Sequence, residues 1–144
     1  MSALFLAAAL AATTPDPTLT PGEWRTDLTR EQICATHWGH DARHVSAAMK
    51  RAVYNEYLFS GAHDPRCPCE IDHRIPRSLG GADDVRNLWP QSYRGRWNAH
   101  MKDRLEDYAH ARVCSGALSL DAARAWFMGD WRVAYRHTFG ATQQ

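Results

Sequence analysis

Apolar positions along the chain recur with two different periods, and the change from one to the other predicts the order of elements. Thr29 and Gln32 are spaced as a capping box ahead of Ile33, which predicts a short helix running to about residue 37. Val45, Ala48, Met49, Ala52 and Val53 then share one face of a second helix, with Asp41 as its expected cap. Turn-forming residues over 61–68 end that region. The period drops to two at Ile71 and Ile75, predicting a strand over 69–76, and the segment 76–86 with its Gly80-Gly81 pair reads as a loop. Asn87-Leu88-Trp89-Pro90 reads as a second short strand that Pro90 stops. Helical spacing returns over about 98–113, with Gly116 just beyond as a stop signal. Ser119 is placed to cap a last helix in which Ala123, Phe127, Trp131 and Ala134 form a core-facing stripe. Two helices, a two-stranded unit and two further helices make an α+β protein that is mostly helical, with no internal repeat.

Length and composition bound this picture without changing it. The chain has 144 residues, 44% of them hydrophobic and 23% charged, which suits a single domain able to bury a core. That domain is expected over 28–144, preceded by a Pro- and Thr-rich linker over 13–27. Residues 1–12 include an apolar run of alanines and leucines too short to span a bilayer, and Ala9-Leu10-Ala11 fits a small-x-small cleavage pattern. The run is a candidate signal peptide, so the expected location is periplasmic or secreted. No Lys or Arg precedes it, which keeps a cytoplasmic location as the alternative. Four cysteines (Cys34, Cys67, Cys69 and Cys114) suit two disulfides in an exported chain. A bridge between Cys67 and Cys69 is disfavoured because its ring is so small. A zinc cage lacks its usual C-x₂₋₄-C pairs. Cys34 and Cys114 are therefore each expected to be oxidised, with partners unassigned.

The formal net charge of +1 does not announce a polyanionic partner, but a local footprint is what matters for one. Arginines 74, 77, 86, 94, 96 and 104 and Lys102 cluster in sequence, interleaved with acids. Among them Asp72 and His73 stand side by side at a strand end, followed by the Gly-Gly loop, Asn87 and a polar helix carrying Asn98, His100, Lys102, Asp103 and Glu106. Phosphodiester hydrolysis needs such a set: oxygen ligands for a hard cation, a base of near-neutral pKa and a group that orients the base.

Asp72-His73-Arg74-Ile75-Pro76, Leu79-Gly80-Gly81, Asn87-Leu88-Trp89-Pro90 and the run from Asn98 to Glu106 resemble small bacterial and phage HNH, or ββα-metal, nucleases. Val113-Cys114-Ser115-Gly116 and Asp130-Trp131 also fit that group, so the resemblance covers most of the chain. It implies a ββα-metal core at about 69–113, flanked by the N-terminal helices and a C-terminal helix. It also implies a metal-dependent endonuclease that cuts DNA, or RNA, with low sequence specificity and leaves a 5′-phosphate. In that reading His73 is the general base, Asp72 binds one divalent ion, and Asn87 holds the second strand against the His73 loop and fixes the ring. The helix ligand is open: helical geometry favours Asp103 and the family name favours His100. Asp103 would suit Mg²⁺ or Mn²⁺, whereas His100 would admit Ni²⁺ or Zn²⁺. Arg74 and Arg77 are candidate phosphate contacts, and Lys102 either contacts phosphate or pairs with Glu106. Because neighbouring strand residues face opposite ways, a bend or bulge is expected at Asp72-His73. The alternative reading is a nucleic-acid-binding module with an HNH-like fold that does not cut.

Overall fold

A computed structural model describes residues 13–140, so the candidate signal run at 1–12 lies outside the described residues. The described residues form an α+β fold of five α-helices and one two-stranded antiparallel sheet: α1 Arg30–Ala35, α2 Ala47–Glu56, β1 Cys69–His73, β2 Leu88–Ser92, α3 Ala99–Cys114, α4 Leu120–Met128 and α5 Trp131–Phe139. Among these residues no helix is long and apolar enough to cross a membrane.

Local chemistry explains most of the boundaries. Thr29 and Gln32 form the full capping box, and Asn98 and Ser119 cap α3 and α4. The cap of α2 is Ser46, whose hydroxyl accepts from the Met49 amide, and not Asp41. Asp41 lies too far upstream and instead accepts from the Gly39 amide and pairs with Arg77. The single last helix expected from the apolar stripe is two helices. Gly129 ends α4, and the Asp130 carboxylate accepts from the Arg132 amide to start α5, so a strong cap interrupts a continuous hydrophobic period.

The sheet is regular, with Asp72 opposite Trp89 and His73 opposite Leu88, and the expected bulge is absent at that pair. Nor does Pro90 stop β2. It sits inside the strand opposite Ile71, which is tolerated because each strand of a two-stranded sheet keeps one unpaired edge. The hairpin is wedged between two apolar clusters. Val53, Tyr54, Phe59, Ile71 and Leu88 fill the space toward α2. Ile75, Leu79, Leu105, Val113, Phe127 and Trp131 join α3 to α4 and α5.

The segment 13–27, expected to be a linker, packs against the fold as a strap. The Thr20 hydroxyl donates to the Leu88 carbonyl at 2.9 Å, and Trp24 forms an isolated bridge with Gly81. Besides Thr20, the amides of Gly22 and Arg25 donate to the carbonyls of Arg86 and Gly80, and the Glu23 carbonyl accepts from the Ala82 amide, so backbone groups between the strands find partners in the strap.

Both expected disulfides are present, and one corrects the sequence reading. Cys34 joins Cys114 across 80 residues, tying α1 to the end of α3. Cys67 joins Cys69, the pairing that ring size disfavoured. An extended chain would hold alternate Cα atoms about 7 Å apart. Here the chain bends at Pro68 and brings them to 5.0 Å, inside bridging range.

The two bridges should differ sharply in their effect on stability. Closing a loop of 80 residues is worth about 4–5 kcal/mol in the chain-entropy model, whereas a loop as small as that of Cys67 and Cys69 constrains the unfolded chain much less. Paired Cys→Ser variants followed by urea denaturation test this. The Cys34/Cys114 variant should lose several kcal/mol and the Cys67/Cys69 variant far less.

Candidate functional site

The site is built where β1 ends. Strand alternation sends Asp72 and His73 to opposite faces, and the structure uses both directions. Because His73 is the last residue of the strand, a cleft of about 280 Å³ at that end reaches both side chains. Its walls include Glu106 from α3 together with Arg43 and Arg77. A terminal position thus does the work expected of a bulge.

On the helix side, Lys102 inserts its ammonium between the elements. Only 1% of Lys102 is exposed, and its Nζ donates to Asp72 Oδ2 at 2.6 Å, to the His73 carbonyl at 2.7 Å and to Glu106 Oε1. Three donors meet three oxygens, and the Phe127 ring lies 5.4 Å away. Burial alone would push the Lys102 pKa down, but the charges of Asp72 and Glu106 outweigh it and hold the pKa above the ordinary lysine range. Of the two roles open to Lys102, the structure therefore realises the pairing with Glu106 and adds Asp72 to it. Glu106 itself is pushed up by burial and by the charges of Asp72 and Asp103, against the pull of Lys102.

On the other face His73 is only 4% exposed, and its Nε2 lies 2.7 Å from Asp83 Oδ1. Burial is the largest influence on the ring and lowers its pKa to about 4, although Asp72 and Asp83 pull the other way. Burial also works against the Asp83 carboxylate. The His44 amide at 2.6 Å, His73 and Arg77 prevail and keep Asp83 below its ordinary value. At neutral pH the pair is a neutral imidazole beside a carboxylate. Nε2 then carries the shared hydrogen, and the lone pair is left on Nδ1.

The Gly-Gly pair delivers Asp83. Gly80 adopts φ +85° at the end of a single 3₁₀ turn, Arg77–Leu79, and a Cβ on Gly81 would lie 1.8 Å from the Ile75 carbonyl oxygen. The loop can therefore fold back onto the exit of β1 only with glycine there. Asn87, fully buried, fixes the same crossing from the other strand. Its Oδ1 accepts from the Ile75 amide at 2.9 Å, and its Nδ2 donates to the carbonyls of Ile75 and Ala82. Asn87 thus ties β2 to the loop after His73, but its bonds run to backbone, and Asp83 is the residue that bonds the ring.

The remaining sequence-predicted residues divide. Arg77 lines the cleft, held by Asp41 and by the Ala42 carbonyl. Arg74 does not face it. Its guanidinium is buried and donates to the carbonyls of Thr20, Phe127 and Met128, so it anchors the strap and α4 and is not presented to a phosphate. His100 and Asp103 lie on the exposed side of α3, outside the cleft walls. The His100 ring is 5.8 Å from Tyr93. The Asp103 pKa is raised to about 6 by desolvation and by the charges of Asp72 and Glu70, with Lys102 and His100 opposing. Asp83, Arg43 and the cleft-lining role of Glu106 were missed. Glu106 alone carried a signal, standing four residues after Lys102 on the same helix face.

Among the described residues no group of three or more His, Cys, Asp or Glu side chains is placed to hold a metal ion. Asp72 and Glu106 both reach the cleft, and the second oxygen of each takes no part in the Lys102 clamp. Two carboxylates with retained waters are what a small hard cation such as Mg²⁺ uses, so the residues fit that chemistry. The buried amide of Gln91, on the same face of the sheet as Asp72, also lacks a hydrogen-bond partner within the protein.

Compared with known proteins, the chain matches no family model, no curated protein and no solved structure.

Two outcomes are expected here. Lys102→Met should cost about 3–5 kcal/mol at pH 7, because it leaves two carboxylates without their cation, and the cost should shrink in acid as they protonate. Denaturant midpoints across pH measure this. In the metal-free protein, NMR should show the His73 ring titrating near 4, below an ordinary histidine at 6.5. The folded-state pKa is depressed, so this group contributes stability that is complete above about 6.5 and is lost as pH falls through 4. A His73 ring titrating near 6.5 would contradict the burial described.

Proposed function

We propose that the chain is a metal-dependent endonuclease of the HNH type, acting on DNA with little sequence preference. The observation that carries this reading is the cleft at the end of β1, which joins a neutral imidazole backed by a carboxylate, three further carboxylates (Asp72, Glu106 and Asp107) and two arginines. The hairpin with α3 laid across it would correspond to the ββα-metal core that the sequence resembles. Asp72 and Glu106 would hold one divalent ion, Mg²⁺ or Mn²⁺ by their oxygen chemistry, in place of the His100 or Asp103 expected from the helix pattern. When bound, that ion supplies charge stabilisation at the phosphate and the leaving oxygen. His73 takes the proton of the attacking water on Nδ1, and Asp83 holds the ring in the tautomer that leaves this atom free. Arg43 and Arg77 stand where the phosphate oxygens would lie. Two disulfides and the apolar run at the N-terminus support a periplasmic or secreted setting.

The clamp of Lys102 on Asp72 favours a second reading, a nucleic-acid-binding module that does not cut, because it already neutralises the proposed metal ligand.

A plasmid-nicking assay with Mg²⁺, Mn²⁺ or EDTA separates the two. Nicking should require the metal, and His73→Ala should reduce it by ~10²–10⁴-fold. Asp83→Asn, which keeps the shape but not the charge, should give a smaller loss with an altered pH profile. Circular dichroism of each variant controls for folding. No nicking under any metal would leave the binding module, and nicking at the wild-type rate by the His73 variant would remove that residue from the chemistry.

A further inference from the structure

One stripe of α2 carries Ala47, Lys50, Arg51 and Tyr54 at i, i+3, i+4, i+7 spacing; Tyr54 belongs to the core, whereas Ala47, Lys50 and Arg51 are exposed. These residues form one wall of a groove of about 500 Å³, and Glu70 and Tyr93 stand on the other wall. Lys50 and Arg51 are exposed, and neither has a carboxylate partner among the described residues. In this they differ from Arg25, Arg66, Arg77, Arg86 and Arg132, which all have acids beside them. Tyr93 is 44% exposed, and its hydroxyl donates to Glu70 at 2.7 Å, which steadies the ring at the groove edge.

The groove does not end blindly. Arg43 borders both it and the cleft of Asp72 and His73, and its guanidinium is pinned by donating to the Ile71 carbonyl at 2.9 Å. A polyanion lying on Lys50 and Arg51 would thus be led past Arg43 to the end of β1.

We infer that this groove is the track for the phosphodiester backbone of a nucleic-acid strand, with Lys50 and Arg51 on neighbouring phosphates and Arg43 passing the strand to the cleft. The strand's destination rests on the nuclease reading above, whereas the binding itself does not. Charge complementarity identifies the occupant: the unpaired charge is cationic, and the small Gly61 and Ala62 at the rim leave room for a backbone to approach. Glu70 is the one opposing charge in the walls, so it should weaken binding.

The test uses the full chain in EDTA with labelled single-stranded and duplex oligonucleotides, titrated by fluorescence anisotropy at several salt concentrations. The Lys50→Gln/Arg51→Gln variant touches no packed residue. It should bind about tenfold more weakly, with the slope of log K against log salt reduced by about two. Glu70→Gln should bind more tightly than the wild type. Unchanged affinity and slope in the double variant would overturn the track, as would equal binding of polyglutamate by the wild type. Cleavage with Mg²⁺ is then read on the same proteins. A wild type that binds through Lys50 and Arg51 yet never cuts keeps the track and refutes the nuclease. Cutting by a double variant that binds as the wild type does keeps the nuclease and refutes the track.

Discussion

The buried ammonium of Lys102 is the interaction on which the rest of the structure depends. It is the point at which α3 meets the hairpin through polar atoms, and it bonds a strand side chain, a strand carbonyl and a helix side chain at once. Such a group is costly to bury and is stable only when every donor is matched and the opposing charges are held in place. Those conditions select one register between β1 and α3. Were the helix to slide by one turn, Lys102 would lose Asp72 and the His73 carbonyl together and leave a buried charge without compensation. The apolar contacts of Leu105, Phe127 and Ile75 supply attraction but tolerate small shifts, so the clamp supplies the specificity that they lack.

A thin hairpin then gives the site its two electrostatic halves. Asp72 points into the clamp, and His73, one residue later, points the other way into a pocket closed by Asp83 and Arg77. The pKa of the ring is low because the ring is buried, and the carboxylate beside it keeps one tautomer without charging it. Were both side chains on one face, the Lys102 charge would stand directly against the imidazole. The strand itself separates them, while the open end of β1 lets both reach one cleft.

Much of this was legible in the sequence, and the failures share a cause. Caps at Thr29 and Ser119 are local signals legible in the sequence, as are the alternation at Ile71 and the glycine pair. Asp130 shows the limit of period alone: a cap two residues after Met128 divides a stripe that stays in register on both sides of the break. Asp83 could not be found because its partner lies ten residues away across a loop whose path is set by close packing at Gly81, which no sequence period reports. Arg74 failed differently. It sits beside the site in sequence, but strand direction turns it toward the strap and α4, where three carbonyls take its donors. The i, i+4 spacing to Glu106 is legible for Lys102, but its second and third partners come from a strand about thirty residues earlier.

The near-zero net charge conceals a separation that the fold creates. Asp72, Asp103 and Glu106 gather where β1 faces α3, and desolvation together with the charges of Asp72 and Glu70 raises the Asp103 carboxyl to about 6. Arg43, Lys50, Arg51 and Arg77 gather on α2 and the loops beyond the opposite face. One cluster is acidic and the other basic, and only the thickness of a two-stranded sheet lies between them. At such spacing neither field is fully screened at physiological salt, where the Debye length is about 8 Å. On the proposed nuclease reading, a phosphate drawn to Arg43 and Arg77 would arrive beside Asp72 and Glu106, which share the Lys102 ammonium. The Cys34–Cys114 bridge and Arg30, which donates to the carbonyls of Val113 and Cys114, hold the far end of α3. With Lys102 near its start and that staple at its end, the helix is fixed at both ends, and the two charge clusters keep their separation.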